Sequence, residues 1–179
     1  MTHSTTKNRK NPILDMLIPG DLRMKGNSEK VVERILANTG ELDLLIACLS
    51  EDVEAMRMRC CDAMEKISRS HPQWFNRYKS RLLKVAKQEK QKEVRWHLAQ
   101  IIPRLSLTAG QKYTAYTTFQ TYLNDKSSIV KTFAMQALVD LAQQDNSLIN
   151  ETRKTIQVLT KTGTPAMQSR GRQLLKTLL

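Results

Sequence analysis

Residues 94–105 read VRWHLAQIIPRL and decide the fold, because this twelve-residue pattern occurs three more times in the chain. The copies are MRMRCCDAMEKI at 56–67, VKTFAMQALVDL at 130–141 and MQSRGRQLLKTL at 167–178. They begin 38, 36 and 37 residues apart, and the first, ninth and twelfth positions are apolar in every block. A fixed period of this length indicates a repeat architecture.

The recurring apolar positions belong to one side of a helix. At 100° per residue, positions 1, 5, 8, 9 and 12 of the block fall on one face, which must be buried. Each block follows a second amphipathic segment, and these segments cover residues 41–49, 72–86, 108–123 and 147–160. One helical pair cannot bury both of its apolar faces alone, so we expect the pairs to stack on one another.

The run V-R-x-x-(A/L)-A-x-(A/I)-L, as at Val94-Arg95 and Val130-Lys131, resembles the HEAT/adaptin-like, armadillo-type helical repeat family. The resemblance covers roughly residues 41–179. It implies an all-α fold, a right-handed α-α superhelix (solenoid) of about four HEAT-like helical pairs. Upstream, SEKVVERILA at 28–37 predicts an N-terminal capping helix with Ser28 or Asn27 as its N-cap. We expect residues 12–179 to form a single HEAT-like repeat domain and residues 1–11 to be disordered.

The chain is basic, with 29 Lys and Arg against 17 Asp and Glu and a formal net charge of +12. Residues 56–104 alone contribute +9. Such a charge serves solubility or attracts an acidic partner, nucleic acid or an anionic surface. Cys48, Cys60 and Cys61 form no C-x-x-C pair, so we expect reduced thiols and a cytoplasmic protein. A secretion signal and a run of about 18 apolar residues are both missing, so no membrane span is predicted.

The third, seventh and tenth positions of each block point away from the apolar face in this projection. The resemblance implies that the second helices line a concave surface, so we expect another protein or peptide to bind there. The predicted partner-binding residues are Met58, Asp62, Trp96, Gln100, Thr132, Gln136, Val139 and Gln173, and Glu65 and Pro103 also hold tenth positions. Trp96 would be the anchor; the alternative is that it packs against a neighbouring unit. The second-position residues Arg57, Arg95 and Lys131 are expected to pair with acidic groups of adjoining units.

A second hypothesis concerns the cations between residues 77 and 92. Arg77, Arg81 and Lys84 follow an i, i+4, i+7 track, and Lys87, Lys90 and Lys92 continue into the next turn. Phosphate contacts through these side chains would give a nucleic-acid-binding protein with salt-sensitive affinity. A merely solvated helix face is the structural alternative.

Catalysis finds little support in the sequence. His3, His71 and His97 have no metal-ligand spacing, and no G-x-S-x-G, Walker or dinucleotide motif occurs. Among HEAT-like proteins the alkylpurine DNA glycosylases are enzymes, and Trp96 and Asp62 are the only residues here that could match their groove. Their characteristic Asp-containing segment is absent, so no catalytic role is carried over. We predict a non-enzymatic binding or scaffold module without cofactor or metal.

Overall fold

The computed structural model describes residues 11–17 and 27–178, and this part of the chain contains ten α-helices and no strand. The helices are α1 (Pro12–Leu17), α2 (Ser28–Ala37), α3 (Leu42–Ala47), α4 (Glu54–Ser70), α5 (Lys79–Gln88), α6 (Lys92–Ile101), α7 (Ala109–Tyr122), α8 (Ser128–Ala142), α9 (Ile149–Thr162) and α10 (Pro165–Thr177). The all-α prediction is confirmed. The predicted disorder of residues 1–10 lies outside the described residues, whereas Asn11 is described and its amide donates to Leu44 O at 3.1 Å.

Helices α3 to α10 form four consecutive pairs, as the sequence period predicts. The second helices of the pairs, α4, α6, α8 and α10, begin at Glu54, Lys92, Ser128 and Pro165. These starts are 38, 36 and 37 residues apart, the same intervals that separate the four sequence blocks. Helix α2 at Ser28–Ala37 precedes the array, as predicted.

Hydroxyl side chains fix where several of these helices begin. Thr108 forms a capping box with Gln111 at the start of α7. The Ser127 and Thr164 side chains accept hydrogen bonds from Val130 N in α8 and Met167 N in α10. Each satisfies a backbone N–H that has no partner within its helix.

The start of α2 confirms Asn27, one of the two predicted residues, as the N-cap, but without the expected side-chain hydrogen bond. Asn27 holds the N-cap position, but its side chain makes no capping hydrogen bond and its amide donates to Met16 O at 3.1 Å instead. Ser28 is fully buried, and its hydroxyl donates to Asp62 Oδ2 at 2.6 Å. The side chains of the two candidate cap residues therefore tie α2 to other helices and do not cap it.

The chain divides into two compact units, Met1–Ala63 and Met64–Leu179. In the first, the described apolar core includes Ile13, Leu17, Val31, Ile35, Leu45 and Ile46, all fully buried. The three thiols Cys48, Cys60 and Cys61 are free and buried there, which confirms their prediction as unbridged packing residues. Hydrogen bonding to the Cys48 sulfur and burial raise the pKa of the Cys60 thiol, so it remains protonated.

In the second unit, hydrogen bonds join residues of neighbouring first helices that lie about one repeat period apart in the sequence. The Tyr122 hydroxyl of α7 donates to Ala86 O of α5 at 2.6 Å, and Tyr116 hydrogen-bonds Thr152 of α9 at 2.8 Å. Arg95 Nη1 of α6 lies 2.5 Å from Asp125 Oδ2, in the turn between α7 and α8 of the following pair. This contact confirms the predicted structural role of Arg95, and Arg57 behaves differently because it donates to the carbonyls of Glu51 and Asp52 in its own preceding turn.

We expect residues 12–179 to unfold as one domain, because the boundary between the two units falls inside the continuous helix α4. Both tryptophans, Trp74 and Trp96, belong to the second unit, whereas helix content reports on both units. Urea titrations followed by tryptophan emission and by circular dichroism at 222 nm should therefore give one coincident midpoint. A second transition seen only by circular dichroism would contradict a single domain.

Candidate binding surfaces

The second helices α6 and α8 present a half-buried strip at block positions 3, 7 and 11. On α6 and the 3₁₀ turn that follows it, the strip consists of Trp96, Gln100 and Arg104. On α8 it consists of Thr132, Gln136 and Asp140. Because these positions are four residues apart, they stay on one side of each helix. We call these six residues the second-helix strip.

The tenth position was predicted to be exposed, and this prediction is wrong in the first three blocks. Val139 is 1% exposed and Glu65 2% exposed, and Pro103 is also buried. Val139 packs in a core cluster with Met135 and Ile156, so it cannot contact a partner. The second helices are covered by neighbours on more than one side, so their buried arc extends to the tenth position, at about 180° from the first. The eleventh position, at about 280°, lies outside that arc.

Trp96 has a partly open indole ring on α6. Its side chain is half-buried and meets the His97 ring edge-on, with 5.6 Å between ring centroids. The Gln100 amide donates to the Trp96 carbonyl at 3.2 Å. His97 is only 8% exposed and belongs to the packing of the helix. Gln100, one turn after Trp96 on the same side of α6, is thus tied to the main chain of the residue that carries the indole.

The α8 part of the strip is polar and already linked to α10. Gln136 Nε2 donates to Asp140 Oδ1 at 2.7 Å, and Arg170 Nη1 donates to Gln136 Oε1 at 3.4 Å. The pKa of the Asp140 carboxyl is raised, because the effect of burial outweighs the hydrogen bond from Gln136 and the charges of Arg104 and Arg170, which favour the ionised form. The strip thus contains neutral hydrogen-bonding side chains, one basic residue (Arg104), one acidic residue (Asp140) and one aromatic ring (Trp96).

Three other predicted partner-binding residues occupy separate positions. Met58 and Asp62 lie half-buried on the part of α4 that belongs to the first unit. Asp62 is engaged by the Ser28 hydroxyl, so its carboxylate already has a structural contact. Gln173 is exposed on α10.

Next to the strip, Glu65 forms a buried ion-pair network that the sequence did not reveal. Its carboxylate lies 2.7 Å from Arg69 Nη2 and 2.8 Å from Arg104 Nη2. Arg104 Nη1 also donates to Ser68 Oγ at 2.7 Å. Burial raises the pKa of Glu65, but the hydrogen bonds and charges of the two arginines outweigh it and leave the pKa below its ordinary value. This network holds Arg104 at the edge of the strip.

The predicted cationic residues are exposed. Arg77 lies in the 3₁₀ helix Pro72–Tyr78, Arg81, Lys84 and Lys87 lie on α5, and Lys90 and Lys92 follow it; all six are exposed. We call them the basic cluster. The Arg77 guanidinium lies 4.7 Å from the centre of the Tyr78 ring, and Lys92 Nζ lies 3.7 Å from Glu93.

Most acidic side chains between positions 64 and 178 form ion pairs or hydrogen bonds within the protein. The exposed cations of this part are Arg69, Arg77, Arg81, Lys84, Lys87, Lys90, Lys92, Lys126, Lys154, Lys161, Arg172 and Lys176, whereas Glu151 is its one exposed acid. Glu65 and Asp125 bind arginines, Glu89 accepts from Lys90 N and Gln91 N, and Asp145 accepts from Ser147 N. The surface of this unit is therefore strongly cationic.

The described residues contain no group of three or more His, Cys, Asp or Glu side chains placed to hold a metal ion. None of their helices is both long and apolar enough to cross a bilayer.

No family model and no curated protein matches the sequence. Among solved structures, the chain is similar to a crystal structure of an engineered protein from the Northeast Structural Genomics Consortium, with a TM-score of 0.63 and 15% identity. That alignment covers 94% of this chain and 78% of the engineered one. A designed armadillo repeat protein aligns over 94% of this chain and 99% of its own, at 14% identity and a TM-score of 0.47 that is too low to add weight. The first likeness and the four helical pairs confirm the predicted helical-repeat fold.

Proposed function

We propose that this protein is a non-enzymatic binding module and that the second-helix strip binds a segment of another protein. The observation that supports this most is the half-buried indole of Trp96 on α6, with Gln100 one turn further along the same helix and Gln136 at the corresponding position of α8. Tryptophan is enriched among the residues that contribute most to binding at protein interfaces, because its large ring buries much apolar area. Repeat arrays of stacked helical pairs offer extended surfaces for such segments.

The strip favours a peptide with an apolar anchor and exposed main-chain amides. Gln100 and Gln136 carry both donors and acceptors, so either can pair with a peptide N–H or C=O. Arg104 and Asp140 add one charge of each sign at the end of the strip. Buried Val139 contributes no contact surface, which leaves Trp96 as the main apolar contact of the strip.

Replacing Trp96 with Ala is expected to weaken peptide binding about thirtyfold, the effect of losing an anchor that contributes about 2 kcal/mol. Peptides selected from a random displayed library on the wild-type protein, then labelled, give the Kd by fluorescence anisotropy. Trp74→Ala is the matched control, because Trp74 is also half-buried but lies in the 3₁₀ helix before α5, where it stacks on His71 at 4.1 Å. Selected peptides that bind Trp96→Ala as tightly as wild type, or that lose affinity only in Trp74→Ala, would contradict the proposal.

A further inference from the structure

A second candidate surface involves the first helices of the pairs and shares no residue with the second-helix strip. It begins with the charge distribution: residues 64–179 carry 20 Lys and Arg against 7 Asp and Glu, whereas residues 1–63 carry 9 against 10. The whole positive surplus thus resides in one unit. Several acids of that unit are engaged in its own contacts, among them Glu65 and Asp125 with arginines and Asp140 and Glu151 with glutamines.

The basic cluster concentrates part of this surplus on α5. Within the described residues, Lys84, Lys87 and Lys90 have no ion-pair partner. Lys79 of the same helix differs, because its ammonium donates to Ser106 O at 2.6 Å and is used in packing. Arg77 and Arg81 contribute guanidinium groups, which bind phosphate through two parallel hydrogen bonds.

An exposed aromatic ring stands on the neighbouring first helix. Tyr113 of α7 is 65% exposed, the largest exposed fraction among the large apolar side chains described. The hydroxyls of Thr114 and Thr117 beside it bond back to Gly110 O and Tyr113 O, so they turn inward to the helix. The Tyr113 ring is therefore the prominent side chain of this face of α7.

The packing of α7 against α5 and the repeat offset relate Tyr113 to the cationic track. Tyr122 of α7 bonds Ala86 of α5, a separation of 36 residues, and Tyr113 lies 36 residues after Arg77. By the same offset of 36 residues, Tyr113 of α7 corresponds to Arg77, which lies in the 3₁₀ helix that leads directly into α5. Packed helices have axes ~9 Å apart. A nucleotide with its phosphate on Arg77 and Arg81 can reach across that distance to lay its base on the Tyr113 ring.

We infer that α5, the 3₁₀ helix Pro72–Tyr78 before it and α7 form a binding face for single-stranded nucleic acid, with Arg77, Arg81 and Lys84 on the phosphates and Tyr113 stacked on a base. Cations that follow the backbone and aromatic rings that receive bases are the two components of single-strand recognition. A single strand is favoured over a duplex because only unpaired bases expose the face that Tyr113 would contact. The inference is independent of the proposed peptide site, which lies on α6 and α8.

The test is fluorescence anisotropy with a labelled 20-nucleotide oligothymidylate, its duplex with oligoadenylate, and labelled poly-glutamate, at about 50 and 200 mM salt. The triple variant Arg77→Glu/Arg81→Glu/Lys84→Glu should bind the single strand roughly a hundredfold more weakly, with a salt slope smaller by about 2. Lys126→Glu/Arg172→Glu/Lys176→Glu is the matched control, because it changes the net charge equally at exposed residues outside α5 and α7. It should retain most of the affinity.

Tyr113→Ala should weaken single-strand binding about tenfold with an unchanged salt slope, and Tyr113→Phe should bind as wild type. Circular dichroism checks that each variant is folded. Equal losses in the two triple variants would reduce the effect to net charge and overturn the assignment. Wild-type affinity in Tyr113→Ala would overturn the assignment as well, and so would tighter binding of the duplex than of the single strand. Tighter binding of poly-glutamate than of the single strand would also overturn it and would indicate an acidic protein partner.

Discussion

Replacing Glu65 with Gln is expected to lower the free energy of unfolding by about 2 kcal/mol at neutral pH. The carboxylate is 2% exposed and accepts from Arg69 and Arg104, so Gln would leave both guanidinium groups without their anionic partner. Removing one member of a fully buried ion pair costs about 3–5 kcal/mol. The cost here is smaller because Arg69 and Arg104 are 64% and 31% exposed and can be hydrated.

Asp140→Asn is the matched control for this prediction, since it makes the same carboxylate-to-amide change with the opposite expected sign. Burial raises the pKa of Asp140, so its ionised form is disfavoured in the folded protein. The amide keeps an oxygen for Gln136 and removes the buried charge. At neutral pH we expect Asp140→Asn to be neutral or slightly stabilising.

The pH dependence of the two variants follows from the directions of the pKa shifts. The pKa of Glu65 is lowered in the folded state, so its contribution is present above the unfolded pKa and is lost as the pH falls through the folded value. The pKa of Asp140 is raised, so its contribution is present at low pH and is lost as the pH rises through the folded value. Urea unfolding of wild type, Glu65→Gln and Asp140→Asn at pH 7 and near pH 3.5 measures the pH dependence of both contributions to the free energy of unfolding. A loss below about 0.5 kcal/mol for Glu65→Gln at pH 7 would show that the network is no stronger than an exposed ion pair.

Replacing Gly171 with Ala is expected to lower the free energy of unfolding by about 2–3 kcal/mol. A β-carbon at this position would lie 2.1 Å from Thr160 Oγ1 and 3.3 Å from Met135 Cε. The Thr160 hydroxyl is fixed by its 2.6 Å hydrogen bond to Ile156 O, so it cannot move aside without losing that contact. The added methyl group would therefore push α10 away from α9.

Gly110→Ala is the matched control, because nothing lies within 4 Å of a β-carbon at the start of α7. It should be neutral or stabilise the protein by up to about 1 kcal/mol through helix propensity. In a double-mutant cycle, Thr160→Ala should recover a large part of the loss in Gly171→Ala, with a coupling energy above about 1 kcal/mol. Additive effects in that cycle would contradict the proposed steric clash.

The sequence predicted the order of the helices well because the repeat supplies four independent readings of one pattern. The apolar positions of the blocks gave the second helices, and the intervals of 38, 36 and 37 residues were reproduced by their starting residues. Arg95 was also interpreted correctly as a link between units, since a cation at the edge of a buried face needs an acidic neighbour. These features depend on spacing along the chain, which a sequence contains in full.

The candidate site was predicted only in part, because a single-helix projection assumes one buried side. Glu65 and Val139 were placed on the surface, yet neighbouring helices cover that side as well. Arg104 and Asp140, one position further on, were missed as members of the strip. Both hold position 11, four residues after position 7 and eight after position 3, and this spacing could have placed them on the same side of the helix. The close approach of Gly171 to Thr160 depends on how two helices pack, and no spacing reveals it.

The most direct test of the proposed binding module is the emission of Trp96 in a Trp74→Phe variant, where Trp96 is the one remaining tryptophan. Its half-buried indole should shift to shorter wavelength and become less accessible to acrylamide when a selected peptide binds. Emission and quenching that stay unchanged while anisotropy shows the peptide fully bound would contradict the account, because the partner would then occupy a surface that excludes Trp96.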